Sequence, residues 1–521
     1  MLLTLFATGI RLDALLGSRK LVRAYDAEVR DLLRADVENA EHLIRKYLQD
    51  SVRGDIHLPQ SFTPSDIRDL IDRYLESSAA NVNYVGLVES AHVSSATGVD
   101  AKLKLKAKRR KHQLTEQFFE QTAGLRTGCE VVVSTSEREP VSAELDGMVS
   151  KFTYSRQWLD STNDYASILN NFQHLFDFAD RACILTLPAY AAELGVLERT
   201  LGLRGKTDYH FGLAFSSKDS SSLLQTQMMH AYLRSRDINL EEVISWFFGN
   251  YLVEQFQASS FSFTPSEGGT SYLQKVRHLF AEMESISNQF RLYVQNGELD
   301  RELLAMTSEQ VRYKELPTLL EDKYLYPTQS SEIASILHLL FSDQSTLAYV
   351  NENLKGENAA RLLLSREVTY ADFADYQKPA VDHLLSLGVL RDGGTRIELA
   401  SEEQCSILYA LFTTEAAAYL HLSAAGRRAA DLMVEKGWVS RAATLLTEAE
   451  GNYFNYFLNS VDFSNGPQLR NRYQHGSQVN GEGEGAHYTV YVTALRLIVA
   501  LVIKINDDFC LAYPEADQDN S

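Results

Sequence analysis

The stretch 270-TSYLQKVRHLFAEMESISNQFRLYVQNG-297 predicts one long amphipathic helix. Its apolar side chains recur every three or four residues, a spacing that places them on one face of an α-helix. Gly297 marks the end of this helix, because glycine adopts the left-handed conformation of a helix C-terminus without steric cost. Similar periodicity recurs along most of the chain, and we therefore predict a mainly α, multi-domain protein.

Segments that resemble β-strands are few. Glu130–Ser134 contains three consecutive valines, and Asp208–Phe215 combines alternation with aromatic residues. Both features favour strands, since β-branched and aromatic side chains fit a pleated surface. We therefore expect residues 1–328 to form a mostly helical region with a minor β component.

Residues 329–400 show a different pattern of short elements. Helices are predicted over Glu332–Phe341, Tyr370–Tyr376 and Ala380–Leu387, followed by a hairpin between Val389 and Leu399 that turns at Asp392-Gly393. An Asp-Gly pair suits the positive backbone angles of a tight hairpin turn. Helices followed by such a hairpin indicate a winged-helix-like segment, which either packs domains together or reads duplex DNA.

Composition limits the class of protein and its compartment. The chain has 521 residues, of which 45% are hydrophobic and 23% charged, the usual range of a soluble globular protein. Its four cysteines lie far apart with no Cys-x-x-Cys pair, which argues against a disulfide scaffold and a cysteine zinc site. We expect a cytoplasmic protein.

The most hydrophobic segment, Tyr491 to Asn506, predicts a buried helix rather than a membrane span. Arg496 and Lys504 interrupt it, and the unbroken apolar run between them is far shorter than the ~20 residues that cross a bilayer. We therefore expect no association with a membrane.

Common catalytic motifs are missing from the sequence. It contains no Gly-x-x-x-x-Gly-Lys-Ser/Thr loop, no Gly-x-Ser-x-Gly elbow and no His-Glu-x-x-His pair. The sequence therefore gives no indication of nucleotide hydrolysis, serine-hydrolase chemistry or zinc proteolysis. We expect neither a cofactor nor a metal.

The formal net charge of −19 argues against a protein that coats nucleic acid non-specifically, but it allows local basic patches. Lys102–His112 is the densest basic run. It is either the solvated face of a helix or a surface that follows a phosphate backbone.

The segment 469-LRNRYQHG-476 carries a more specific combination of side chains. Arg470 is followed directly by the polar Asn471, and His475 comes five positions after the arginine. A histidine with a pKa near neutrality can move the proton of an RNA 2′-hydroxyl or of the leaving oxygen. A guanidinium can hold the phosphate whose negative charge grows in the transition state.

The spacing alone carries no information, because Arg204 and His210 form a second pair of the same kind elsewhere in the chain. On an ideal helix, residues five apart point about 140° away from each other, so Arg470 and His475 would converge best near a helix end. Without further context, we favour a surface ion pair for Arg470 and a helix cap for His475 over a catalytic role.

The surroundings of this segment resemble the HEPN superfamily (higher eukaryotes and prokaryotes nucleotide-binding domains). They comprise a helix ending Tyr453-Phe-Asn-Tyr-Phe-Leu-Asn459, the segment 469–476, a variable loop, and a long apolar helix that ends in Lys504-Ile-Asn-Asp-Asp508. The resemblance implies an all-helical bundle over about residues 401–521. It also implies a metal-independent endoribonuclease with Arg470 and His475 as catalytic residues and Asn471 as the polar neighbour.

The same resemblance implies a toxin or anti-phage defence effector, with RNA as the substrate and an antitoxin or other protein as a further partner. A non-catalytic HEPN-like scaffold and a winged-helix DNA-binding regulator remain as alternatives.

Three neighbouring residues have two interpretations each. His487 is either a second catalytic histidine or a structural one, and Glu482 and Glu484 either shield the basic site or are solvated loop charges.

One histidine cannot readily serve both the attacking and the leaving oxygen, because these lie on opposite sides of the phosphate. We therefore expect a homodimer that brings two copies of the segment together.

Overall fold

The computed structural model describes residues 11–50, 54–95, 97–121, 127–306, 311–474 and 482–514. The chain forms two compact units, each built from separate stretches of sequence. The first unit contains Met1–Thr127, Gly195–His210 and Asn455–Asn471, and the second contains Gly128–Leu194, Phe211–Phe454 and Arg472–Ser521. The helices Glu448–Leu458 and Leu469–Gln474 each contain a boundary between units.

The first unit is helical and has its own apolar core. Its α-helices are Leu12–Leu16, Arg19–Ala24, Asp26–Ala35, Ala40–Leu48, Pro64–Glu76, Val82–Ser90, Ala101–Gln121 and Val196–Leu201. Leucine, isoleucine and valine side chains from these helices form one buried cluster. Thr63 begins the helix Pro64–Glu76 with a reciprocal capping box to Asp66, which satisfies backbone N–H groups at the helix start.

The second unit contains the long helices and the small sheets. Its α-helices are Arg156–Ser161, Tyr165–Asn170, Leu213–Arg234, Leu240–Trp246, Leu252–Phe256, Tyr272–Asn296, Arg301–Met306, Ser331–Phe341, Ala359–Ser365, Lys378–Ser386, Glu402–Thr413, Ala424–Glu435 and Glu484–Ala512. We call the last of these the C-terminal helix. It packs against Tyr272–Asn296 and Leu213–Arg234.

Each sheet of the second unit has two or three strands. One contains Thr127–Ser134, Met148–Ser155 and Val141–Asp146 in that spatial order, and another Val439–Ala442, Tyr324–Pro327 and Ala417–Ala418. Two hairpins complete the set, Tyr349–Asn351 with Leu354–Lys355 and Leu390–Asp392 with Ile397–Leu399. The described chain is therefore mainly α with minor sheet, as the sequence predicts.

The local predictions in the second unit are largely confirmed. The helix Tyr272–Asn296 ends at Gly297, whose φ is +77°. The predicted strand Glu130–Ser134 lies within Thr127–Ser134, and the predicted hairpin turns between Asp392 and Ile397. Two of the three helices predicted in the middle region are present, as Ser331–Phe341 and Lys378–Ser386. The helix predicted over Tyr370–Tyr376 is wrong: only the 3-10 turn Tyr370–Asp372 forms there, because Phe373 has an extended backbone. One apolar core joins these elements to others as far as Val439. Residues 401–521, which the resemblance implies to be all-helical, contain the strands Ala417–Ala418 and Val439–Ala442, both paired with Tyr324–Pro327.

The strand predicted over Asp208–Phe215 is wrong. In the first unit, the side chain of Asn465 takes the place of a neighbouring strand. Its Oδ1 accepts from the backbone nitrogen of Tyr209 at 2.8 Å, and its Nδ2 donates to the Tyr209 carbonyl at 3.0 Å. The helix Leu213–Arg234 then begins inside the predicted strand.

The C-terminal helix is long and apolar enough to cross a membrane, but 83% of its most apolar window is buried inside the protein. This burial is that of a core helix, as the sequence predicts for Tyr491–Asn506.

Gly466 tests the packing of the first unit. A Cβ at this position would collide with the backbone carbonyl of Tyr456, whereas a Cβ at Gly268 would meet no atom within 4 Å. We expect Gly466→Ala to lower the free energy of unfolding by about 1–3 kcal/mol and Gly268→Ala to change it by less than about 0.5 kcal/mol. Urea unfolding of both variants measures this difference, and equal effects would contradict the described packing.

Candidate functional site

The helix Leu469–Gln474, which we call the motif helix, carries the predicted arginine and its polar neighbour in its first turn. Leu469 and Tyr473 are both buried and lie four residues apart, the spacing of one helix face. Arg470 and Asn471 lie between them and are half-buried. The third predicted site residue, His475, and Gly476 lie outside the described residues.

Asn471 belongs to the first unit together with the segment that precedes the motif helix. Its Nδ2 lies 3.4 Å from the Oγ of Ser460. Nearby, Asn455 donates from its Nδ2 to Asp462 at 2.7 Å and accepts from Asn459 at 3.1 Å. These side-chain bonds fix the turn that leads from the helix Glu448–Leu458 toward the motif helix.

In the second unit, Tyr473 connects the end of the motif helix to the start of the C-terminal helix. Its hydroxyl lies 2.8 Å from Nδ1 of His487, and Nε of Arg277 donates to its carbonyl at 3.2 Å. His487 is only 6% exposed. Burial and this hydrogen bond favour the structural one of the two interpretations that the sequence leaves open for His487.

Tyr473→Phe removes this hydroxyl and leaves the buried Nδ1 of His487 without the bond. We expect the free energy of unfolding to fall by about 1–2 kcal/mol. Tyr376, which is 70% exposed, offers a matched control. Chemical denaturation of Tyr473→Phe and Tyr376→Phe measures the difference, and a Tyr473→Phe protein as stable as the control would show that the bond does not hold the two helices.

Two glutamates near the start of the C-terminal helix have different partners. Nη2 of Arg472 lies 2.5 Å from Oε1 of Glu482, and the two side chains are 32% and 25% exposed. Glu484 instead accepts from the backbone nitrogen of Tyr272 through its Oε2 at 3.2 Å. Glu482 therefore neutralises Arg472 of the motif helix, whereas Glu484 binds a backbone N–H group.

His230 is a buried histidine of the same unit that the sequence analysis did not single out. Its Nδ1 lies 3.2 Å from the hydroxyl of Tyr488. Burial lowers the pKa of His230 to about 4, and the nearby charges of Arg234 and Lys275 act in the same direction. The ring is therefore neutral near pH 7, which suits a hydrogen-bonding role.

The second arginine–histidine pair of similar spacing is bonded to backbone. Nη2 of Arg204 donates to the carbonyl of Glu198 at 3.4 Å, and Nε2 of His210 lies 3.4 Å from the carbonyl of Gly205. Both contacts lie within the first unit and close a local turn. This pair therefore serves as an internal control for the motif residues.

The basic run Lys102–His112 lies on the helix Ala101–Gln121. Lys106 pairs with Asp72 and Glu76, each at 2.7 Å, and Lys111 pairs with Glu89 at 2.8 Å. These ion pairs connect the helix to carboxylates of neighbouring helices. Part of the positive charge of the basic run is therefore neutralised within the first unit.

The arginines of the hairpin formed by Leu390–Asp392 and Ile397–Leu399 are also paired with a carboxylate. Arg391 and Arg396 both bind the carboxylate of Glu398, at 2.8 and 2.6 Å.

Sequence reasoning missed a set of buried charges around the C-terminal helix. Lys504 lies 2.9 Å from Glu450 and donates to the carbonyl of Cys183 at 2.7 Å. Lys323 lies 2.7 Å from Asp508, and Arg496 lies 2.7 Å from Asp219. The sequence did contain a sign of these buried charges. Arg496, Lys504, Asp507 and Asp508 lie in a helix that is otherwise too apolar to be exposed to solvent.

Among the described residues, no group of three or more histidine, cysteine, aspartate or glutamate side chains is arranged to hold a metal ion. The buried carboxylates have other partners: Glu450 and Asp508 bind lysines, and Glu241 accepts from the hydroxyls of Tyr491 and Ser266.

The chain matches no family model, no curated protein and no solved structure.

Proposed function

We propose that this protein is a metal-independent endoribonuclease of the HEPN type, which cleaves RNA by attack of a 2′-hydroxyl on the adjacent phosphate. The observation that carries the proposal is the motif helix. Arg470 and Asn471 occupy its first turn, and its last described residue, Gln474, directly precedes His475 in the chain. A helix of this length presents the arginine and the amide from a fixed backbone.

In the proposed reaction, His475 takes the proton of the 2′-hydroxyl as that oxygen attacks phosphorus. The guanidinium of Arg470 stabilises the additional negative charge on the phosphate oxygens. The bond from phosphorus to the 5′-oxygen then breaks, the leaving oxygen receives a proton, and a 2′,3′-cyclic phosphate remains. Asn471 contributes an uncharged donor beside the phosphate.

A homodimer follows from the number of proton-transfer groups. The leaving oxygen lies opposite the attacking one, and a second histidine from another copy of the chain supplies its proton. Light scattering of the active protein should therefore report a dimer. A strictly monomeric protein that still cleaves RNA would rule this arrangement out.

The biological role that we propose is that of a cytoplasmic toxin or defence effector, held inactive by a partner or antitoxin protein. Overexpression should then arrest growth, and His475→Ala should abolish the arrest. Arrest by both proteins at equal expression would contradict the role.

The biochemical test compares two matched pairs of substitutions on single-stranded RNA in excess EDTA. Arg470→Ala and His475→Ala should each abolish the cleavage seen with the unmodified protein. Arg204→Ala and His210→Ala replace the same residue types at a similar spacing and should leave it intact. Equal activity in all five proteins, each with an unchanged circular dichroism spectrum, would refute the proposal.

A further inference from the structure

An ion pair lies at the end of the motif helix. Nη2 of Arg472 and Oε1 of Glu482 are 2.5 Å apart, although the two residues are ten positions apart in the chain. Both side chains are partly exposed, at 32% and 25%. Solvent and solutes can therefore reach the pair, and the carboxylate can exchange for another anion.

The carboxylate of Glu482 shows that an anionic oxygen can bind the guanidinium of Arg472. Guanidinium groups bind carboxylate and phosphate oxygens with the same planar arrangement of donors. A second guanidinium, that of Arg277, is bonded through its Nε to the carbonyl of Tyr473, the next residue of the helix. The end of the motif helix thus carries one arginine of its own, Arg472, and a second, Arg277, bonded to the next residue.

We propose that Arg472 binds a backbone phosphate of single-stranded RNA and that Glu482 occupies the position of this phosphate until RNA displaces it. The proposal rests on the proposed function for the identity of the polyanion. It adds a substrate-binding residue outside the Arg470–His475 pair and an internal carboxylate that competes with the substrate.

The charge of the chain gives this competition a physical reason. With a formal net charge of −19, the protein repels a polyanion at long range. Partly exposed ion pairs are weak and are screened by salt, so a phosphate can replace the carboxylate at little cost. Binding would therefore require a high local concentration of single-stranded RNA. In the absence of RNA, Arg472 would remain paired with Glu482.

The test measures RNA binding without cleavage. The probe is a short, fluorescently labelled, single-stranded RNA with 2′-O-methyl groups, which cannot supply the attacking hydroxyl. Fluorescence anisotropy with the full chain gives the Kd. We expect Glu482→Gln to lower the Kd by about three- to tenfold, because the competing charge is removed. Arg472→Ala should raise the Kd by a similar factor.

Glu484→Gln is the matched control, since Glu484 lies two residues further along and binds a backbone nitrogen instead of an arginine. Its Kd should equal that of the unmodified protein. Arg472→Lys keeps the charge but loses the planar donors, and should give an intermediate Kd. This variant keeps the test decisive if Arg472→Ala does not fold.

Two results would overturn the proposal: a Kd unchanged by Glu482→Gln, or a Kd unchanged by both Arg472 substitutions. Its failure is distinguishable from failure of the proposed function because the probe is not cleavable. If the unmodified protein leaves ordinary RNA intact but the Kd values shift as expected, the phosphate site stands and the nuclease does not. If RNA is cleaved but no Kd shifts, the nuclease stands and this site does not.

Discussion

Lys504→Ala is expected to destabilise the protein by about 3–5 kcal/mol, because it leaves the buried carboxylate of Glu450 without its cation. Lys504 and Glu450 are both fully buried, and their charged atoms are 2.9 Å apart. Burial lowers the pKa of Lys504, but Glu450, Cys183 and Asp507 together outweigh this effect, and the pKa lies above its usual value. The ammonium is therefore charged at neutral pH.

The carboxylate of Glu450 has fixed partners besides the lysine. It accepts from the backbone nitrogens of Leu185 and Thr447, each at 2.7 Å. These bonds keep it in place when the lysine is removed. The loss is therefore that of an uncompensated buried charge rather than of a contact that can rearrange.

The matched control is Lys378→Ala, which breaks a 2.8 Å pair with the almost fully exposed Asp375. Exposed pairs contribute about 0–1 kcal/mol, so we expect little change. The double variant Lys504→Met/Glu450→Gln removes both buried charges and should recover part of the lost stability. Recovery is incomplete because the single amide oxygen of glutamine cannot accept from both backbone nitrogens that bind Glu450. Equal destabilisation by Lys504→Ala and Lys378→Ala in urea unfolding would contradict this account of the core.

His475→Ala is expected to lower the rate of RNA cleavage by about 10²–10⁴-fold, the usual contribution of a general acid or base. Arg470→Ala should have a comparable effect, because it removes the group that stabilises the transition-state charge. Residues that act on one transition state are not additive, so the double variant should be little slower than either single variant.

The measurement is the single-turnover rate with saturating RNA. This condition separates the chemical step from substrate binding, and the two substitutions should change the rate with little change in Kd. A change confined to Kd would assign the residues to binding and contradict their proposed catalytic roles.

The helical elements could be predicted from sequence because their signals are local. Tyr272–Asn296 carries its own apolar periodicity and its own terminating glycine. The pattern 447-TEAE-450 likewise predicts a capping box at the start of the helix Glu448–Leu458, and the structure contains both of its hydrogen bonds, between the backbone nitrogen of each of Thr447 and Glu450 and the side chain of the other.

The strand predicted over Asp208–Phe215 failed because its backbone partner is a side chain far away in sequence. Asn465 binds both backbone groups of Tyr209, and nothing in the local pattern indicates this contact. Period-two alternation identifies a segment able to form a strand, but a strand also needs a neighbour.

For the candidate site, sequence placed Arg470 and Asn471 in a helix but could not identify the contacts that fix it. The bonds from Tyr473 to His487 and from Arg472 to Glu482 each connect the motif helix to the region that begins the C-terminal helix. Residues 14 and 10 positions apart show no periodic relation, so only the folded chain reveals these pairs.

The buried charges were missed for a different reason. Hydropathy treats Arg496 and Lys504 as interruptions of an apolar helix. However, Lys504 and Asp508 in a helix this apolar need partners of opposite charge when they are buried. The structure supplies Glu450 and Lys323, which lie far away in sequence and which the local pattern does not indicate.

The central claim is that RNA supplies its own nucleophile through a 2′-hydroxyl, without a metal. The most direct test is an oligonucleotide of ordinary RNA, compared with one that carries a single 2′-deoxy substitution at the mapped cleavage position, both in excess EDTA. The account predicts cleavage of the first to a 2′,3′-cyclic phosphate end, and no cleavage of the second at that position. Cleavage of both substrates at the same position, or products with a 5′-phosphate end, would contradict it.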